Sequence, residues 1–141
     1  GILFICGGQS YQANKIDNAY IQGSTDVVYT ADMFMQFGGA TPADNIANWN
    51  SRLTLLQAFI STYQVPVLVQ QCGVTYGNDQ SPLFGYTNAI LSGLNGAGLG
   101  WIWWTYRDPN INGFAPYYQT GSTWNVHADF LAAITGYMQA P

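Results

Sequence analysis

Val65-Pro66-Val67-Leu68-Val69-Gln70-Gln71-Cys72-Gly73 and, one helix-length later, Gly100-Trp101-Ile102-Trp103-Trp104-Thr105-Tyr106-Arg107-Asp108 decide how this chain folds. Both are short runs rich in β-branched, aliphatic and aromatic residues, and both end in polar or aromatic side chains. Two such runs joined through a helix make a strand-helix-strand unit, because parallel strands require a long crossover. Parallel α/β proteins build their sites at the carboxyl ends of strands, which draws attention to Gln71 and Trp104.

The rest of the chain repeats the same alternation. Ile2 to Cys6, stopped by Gly7 and Gly8, reads as a buried parallel strand. A short helix is expected from Asn14 to Ile21, and a second strand from Asp26 to Phe34 with Asp32 near its end. Thr41-Pro42-Ala43-Asp44 opens a long helix to about Tyr63, in which Ile46, Trp49, Leu53, Leu56, Phe59 and Ile60 recur at helical spacing. Ser81-Pro82 is read as the start of the next helix, with Leu83, Tyr86, Ile90, Leu91 and Leu94 on its apolar face and Gly96 to Gly98 at its end. A long loop with Asp108, Phe114, Tyr117 and Tyr118 follows the fourth strand, and Trp124-Asn125 leads into a last helix from about Val126 to Met138. Residues 1–141 thus form one α/β domain of four βα units. These fit either an open doubly wound sheet or half of an eight-stranded barrel. No Gly-x-Gly-x-x-Gly turn or phosphate loop is present, so the sequence implies no nucleotide and no cofactor.

Composition narrows the function classes. Lys15, Arg52 and Arg107 are the only basic residues, so there is no basic stripe for nucleic acid. No apolar run approaches the roughly 20 residues that span a bilayer. Gly1 opens directly into a strand-like run, as expected of a cut or mature amino terminus. Cys6 and Cys72 allow at most one disulfide, and two buried free thiols are the expectation. A surface of neutral Asn, Gln, Ser, Thr and Tyr suits an extracellular, secreted protein. All seven acidic residues are Asp, whereas ordinary usage gives a chain of this length about eight Glu. Either the chain has dispensed with Glu, or Gln is written where the chain carries Glu, a side chain of the same shape.

At its strand ends the chain resembles the carboxyl-terminal half of family 5 glycoside hydrolases, the cellulase family, over essentially its whole length. Ile2 to Gly7 looks like that family's fifth barrel strand and Val27 to Phe34 like the sixth. Val65 to Gly73 is similar to the seventh, where the family carries Pro-Val-x-Val-Gly-Glu-x-Gly with a nucleophilic Glu, and Gly100 to Asp108 is similar to the eighth, where Trp104 takes the place of the Trp under the sugar. The resemblance implies the carboxyl-terminal half of a TIM barrel acting on a β-1,4-glucan. It also has departures: Asp32 and Phe34 stand where the family has His-x-Tyr, Gln71 stands at the nucleophile, and the acid/base Glu belongs to a fourth strand outside this chain.

A retaining glycosidase needs two carboxyl groups roughly 5–5.5 Å apart, one to attack the anomeric carbon and one to protonate the leaving oxygen. An amide can do neither. With Glu at position 71 the chain supplies the nucleophile and another segment the acid; with Gln the protein is a non-catalytic relative used for carbohydrate binding or extracellular assembly. A replacement engineered at position 71 alone would leave ordinary Glu elsewhere, which the sequence lacks. Asp32 is the next candidate carboxylate, with a cap as its plainer role. Trp104, Phe34, Tyr11, Tyr76 and Tyr106 are candidate sugar contacts, since their flat faces suit the C–H side of a pyranose. Trp103 should point the other way into the helix layer, Trp49 should be core, and His127 is expected on the surface of the last helix. Four βα units cannot close a barrel, so a second polypeptide or an amino-terminal half of the same precursor is expected to complete it.

Overall fold

The computed structural model describes residues 3–6, 27–79 and 84–138. Strands β1 (Leu3–Cys6), β2 (Val27–Phe34), β3 (Val67–Gly73) and β4 (Gly100–Trp103) form one sheet in the order β1-β2-β3-β4, with every pair parallel. A doubly wound sheet reverses its order at a switch point. Strands laid side by side in sequence order are instead the wall of a (β/α)8 barrel, and here four are present. The half-barrel expectation is met.

Helix α1 (Pro42–Tyr63) starts where the sequence placed it. The Thr41 hydroxyl accepts from the Asp44 backbone N–H at 3.2 Å, and the Asp44 carboxylate accepts from the Thr41 N–H at 2.9 Å, a reciprocal capping box. The helix ends at Gln64, which turns left-handed at φ 53°. Trp49, Leu53, Leu56 and Phe59 form its buried face, and the Trp49 indole N–H donates to the Met33 carbonyl of β2 at 3.0 Å. That bond ties the helix to the strand that carries Asp32.

Helix α2 (Gly85–Gly96) departs from expectation at its start. It begins at Gly85 rather than Ser81-Pro82, and residues 80–83 lie outside the described part. The cap is Asp79: its carboxylate accepts the Tyr86 N–H at 2.7 Å, the Thr87 N–H at 2.8 Å and the Thr87 hydroxyl. An acceptor seven residues before the second helical position is not a pattern that local cap rules detect. Tyr86, Ile90, Leu91 and Leu94 are buried as read from the spacing. Gly93 lets α2 approach α1, since a Cβ there would sit 2.7 Å from the Trp49 ring.

The segment after β4 is the largest correction. The expected loop contains a hairpin, β5 (Tyr117–Thr120) and β6 (Thr123–Val126), and the last helix α3 is only Ala128–Thr135. Trp124 to Val126 pair with β5 instead of entering the helix. Gly121-Ser122 was the available signal, a two-residue turn whose Gly takes φ 60° without a Cβ penalty.

The core lies between the sheet and the helices and includes Ala31, Met33, Val69, Cys72, Leu56, Ile90 and Phe130. Cys72 is a free thiol, pushed up to about 12 by burial. The Cys6 side chain, Tyr11 and the helix expected from Asn14 to Ile21 lie outside the described residues. No described helix is long and apolar enough to cross a membrane.

Candidate functional site

Strand alternation sorts the side chains into two faces. On β2, Ala31 and Met33 enter the helix-side core, so Asp32 and Phe34 face the barrel interior. On β3, Val69 and Cys72 both enter that core, leaving two residues between them rather than one. The register shows the cause: Ala31 pairs with Val69 but Asp32 with Gln71, a bulge at Gln70. Both amides are thereby brought to the interior side. On β4, Trp101 and Trp103 pack against the core, and the interior face carries Ile102 and Trp104, 53% and 46% exposed. The division expected between Trp103 and Trp104 is the one observed. Trp103 donates its indole N–H to the Phe114 carbonyl at 2.9 Å and meets Phe130 edge-on at 5.7 Å.

Asp32 is 8% exposed, and its Oδ1 accepts from the Gln70 side-chain amide at 3.3 Å. Burial raises its pKa above the ordinary value, against the opposing pull of the Gln70 hydrogen bond and the Arg52 charge. Arg52 reaches across from α1 and donates to the carbonyls of Phe34 at 2.8 Å and Asp32 at 3.0 Å. It fastens the end of β2 and sets a positive charge behind the carboxylate. Sequence reasoning missed Arg52 and Gln70. A lone arginine one residue before Leu53 on a helix face read as apolar was the signal for the first; nothing announces a bulge in Val-Gln-Gln-Cys.

Trp104 is placed by backbone. Its N–H donates to the Cys72 carbonyl at 2.8 Å, and Gly73 allows the approach, since a Cβ there would lie 2.9 Å from the Trp104 carbonyl oxygen. The Trp104–Thr105 peptide is cis.

The remaining predicted residues occupy different surroundings. Phe34 meets Phe114 edge-on at 5.4 Å. Tyr106 is 61% exposed and packs on Tyr117 at 4.8 Å. Tyr76, in the 3-10 turn Tyr76–Asn78 after β3, stacks on His127 at 3.6 Å and meets Phe130 edge-on at 5.5 Å. Burial and the Asp129 charge raise the Tyr76 phenol. His127 stays half-exposed, as expected of a surface residue, and the correction is to its place. It precedes α3, its ring lies between Tyr76 and Tyr118, the latter at 4.2 Å, and its Nε2 is 2.7 Å from the Ile111 carbonyl oxygen.

The interior wall thus sets two amides, one carboxylate and an open indole at neighbouring strand ends. Amides and a carboxylate hydrogen-bond hydroxyls, and the indole offers an apolar plane, so the wall suits an uncharged polyhydroxyl ligand better than an anion or a metal.

No protein-family model and no curated sequence relative matches the chain. Solved structures do. An endoglucanase aligns with TM-score 0.71 at 12% identity, covering 96% of this chain and 48% of its own. The cellulose synthase subunit Z of Clostridioides difficile aligns with TM-score 0.70 at 14% identity, covering 94% of this chain and 48% of its own. A glycoside hydrolase 5 lichenase from Caldicellulosiruptor sp. F32, in complex with cellotetraose, aligns with TM-score 0.71 at 14% identity, covering 98% of this chain and 43% of its own. The chain spans about half the length of the structures it matches. Its fold is that of half a barrel of the glycoside hydrolase 5 kind.

Proposed function

We propose that this chain is the carboxyl-terminal half of a secreted, cellulase-like retaining glycosidase that acts on β-1,4-glucan. The observation that carries the reading is the pairing of Asp32 with Gln71 on adjacent strands, beside the exposed indole of Trp104. Residue 71 holds the nucleophile position. As Glu it attacks the anomeric carbon, while an acid/base carboxyl from the other half protonates the leaving oxygen. Trp104 floors the sugar, and Phe34, Tyr76 and Tyr106 belong to the wider cleft. Asp32, whose pKa burial raises, stands beside residue 71 to hydrogen-bond a sugar hydroxyl.

Other features support the missing half. Its strands would pair with β1 and β4, the edges of the sheet among the described residues, and an apolar groove of about 400 Å³ beside β4, lined in part by Ile102, Leu131, Ile134 and Met138, would receive its side chains.

A second reading rests on Gln71 itself. With an amide there, no glycosyl-enzyme bond forms and the negative charge that stabilises an oxocarbenium-like transition state is missing, so the same wall binds glucan without cleaving it. Peptide mass analysis across residues 65 to 80 separates Glu from Gln. Turnover of a soluble β-glucan by the assembled protein, abolished when residue 71 is replaced by Ala, supports the enzyme. A confirmed Gln with no turnover rejects it and leaves the binding protein.

A further inference from the structure

Three successive carbonyls at the end of β2 are held by side chains of α1. The Trp49 indole donates to that of Met33 at 3.0 Å, and the two terminal nitrogens of Arg52 donate to those of Phe34 at 2.8 Å and Asp32 at 3.0 Å. Trp49 shows that a neutral donor on this helix can fasten the strand end. A guanidinium is harder to place there. Burial lowers the Arg52 pKa, and its Nε is buried with no hydrogen-bond partner among the described residues. What a guanidinium adds to an indole is charge, and the charge that supports it in return is that of Asp32.

Asp32 has the matching need. It is 8% exposed, and among the described residues only the Gln70 amide, at 3.3 Å, donates to its carboxylate. Around it stand Gln70 and Gln71 from β3 and Arg52 from α1, and Arg52 is the one charged group of the three. The bonded Arg52 nitrogens are directed at main-chain carbonyls, so the side chain acts on the carboxylate through its charge, from a position that its planar fork fixes. An ionised carboxylate accepts from a hydroxyl more strongly than any neutral acceptor on this wall.

We propose that Arg52 is a positioning residue for glucan binding: acting through Asp32, it holds that carboxylate at the strand end in its ionised form, as the acceptor for a sugar hydroxyl beside residue 71. The inference rests on the glucan reading of the interior wall and adds a dependence on pH. Calorimetric titration with cellotetraose across acid and neutral pH tests it, on the assembled protein with Gln at position 71, which neither turns the sugar over nor titrates. Affinity should rise with pH as Asp32 ionises and then level off. Asp32→Asn should abolish the rise and bind about tenfold more weakly than the parent at neutral pH. Arg52→Gln, which keeps an amide donor but no charge, should move the rise to higher pH, weakening binding roughly two- to fivefold at the parent's midpoint and little at neutral pH. Arg52→Lys, which keeps the charge without the fork, should hold the midpoint near the parent's. If Arg52→Gln weakens binding equally at every pH, Arg52 only fastens the strand and the inference fails. If Arg52→Gln does not fold, the other two variants decide: a midpoint moved upward by Arg52→Lys, or a rise that survives Asp32→Asn, overturns the inference. If affinity is flat with pH and Asp32→Asn binds like the parent while Trp104→Ala binds more weakly, the inference falls and the wall reading stands. If the parent does not bind cellotetraose, both fall.

Discussion

Asp79→Ala is the substitution that most directly tests how the loop after residue 71 is held. Asp79 is fully buried, and its carboxylate satisfies the backbone N–H groups of Tyr86 and Thr87 at the start of α2. Those groups have no partner within the helix, because the first turn has no preceding carbonyls to bond. Alanine leaves both donors buried, at about 1–3 kcal/mol each, and also removes the bond from the Thr87 hydroxyl. Against this, burial raises the Asp79 pKa despite its hydrogen bonds to Thr87 and Tyr86, so deleting the charge returns part of its desolvation cost. The net expectation is a loss of about 3 kcal/mol, a fall in Tm of roughly 6–12 °C for a domain of this size or somewhat larger. Asp79→Asn keeps one accepting oxygen and should lose about half as much. Thermal and urea unfolding of the assembled protein, with the variants compared at one pH, provide the measurement. An alanine variant within about 0.5 kcal/mol of the parent, or an asparagine variant less stable than alanine, would refute the capping account.

Three further outcomes follow from the geometry. The raised pKa of Asp32 means that the folded state binds its proton more tightly than the unfolded chain, so stability should fall as pH climbs from the ordinary value of 3.8 through the raised one and stay level above it; subtracting the Asp32→Asn profile from the parent's should isolate that slope, and parallel profiles would contradict it. Gly73→Ala should cost about 1–3 kcal/mol and weaken glucan binding together, because the new Cβ displaces the Trp104 carbonyl 2.9 Å away; unchanged stability and affinity would show that β4 yields freely. Cys72, buried and raised to about 12, should resist alkylation at neutral pH until the protein unfolds, with peptide mapping to separate it from Cys6; rapid labelling in the native state would overturn its placement.

What the sequence disclosed follows from how each feature is encoded. The order of strands and helices was legible because the apolar stripe of α1 and the short runs of β2, β3 and β4 announce themselves by periodicity and length. The opposite facing of Trp103 and Trp104 followed from pleating alone. The start of α2 was not legible, since its cap comes from Asp79 at a distance set by the path of the loop. The β5–β6 hairpin was passed over because its aromatic residues read as loop, although Gly121-Ser122 marked the turn. The bulge that brings Gln70 beside Asp32 depends on pairing between strands, which one strand's letters do not contain. The environment of His127 likewise arises only when three separate segments converge.

That convergence has a mechanical side. Tyr76 belongs to the loop after β3, while Tyr118 lies in the hairpin and His127 directly follows it, and their rings form a stack of three that joins two parts of the chain far apart in sequence. Stacked rings resist tilting and separation far more than sliding. The stack therefore acts as a rivet: the hairpin and the loop beyond residue 71 are pinned ring to ring, so neither can be displaced without opening the contacts of the other.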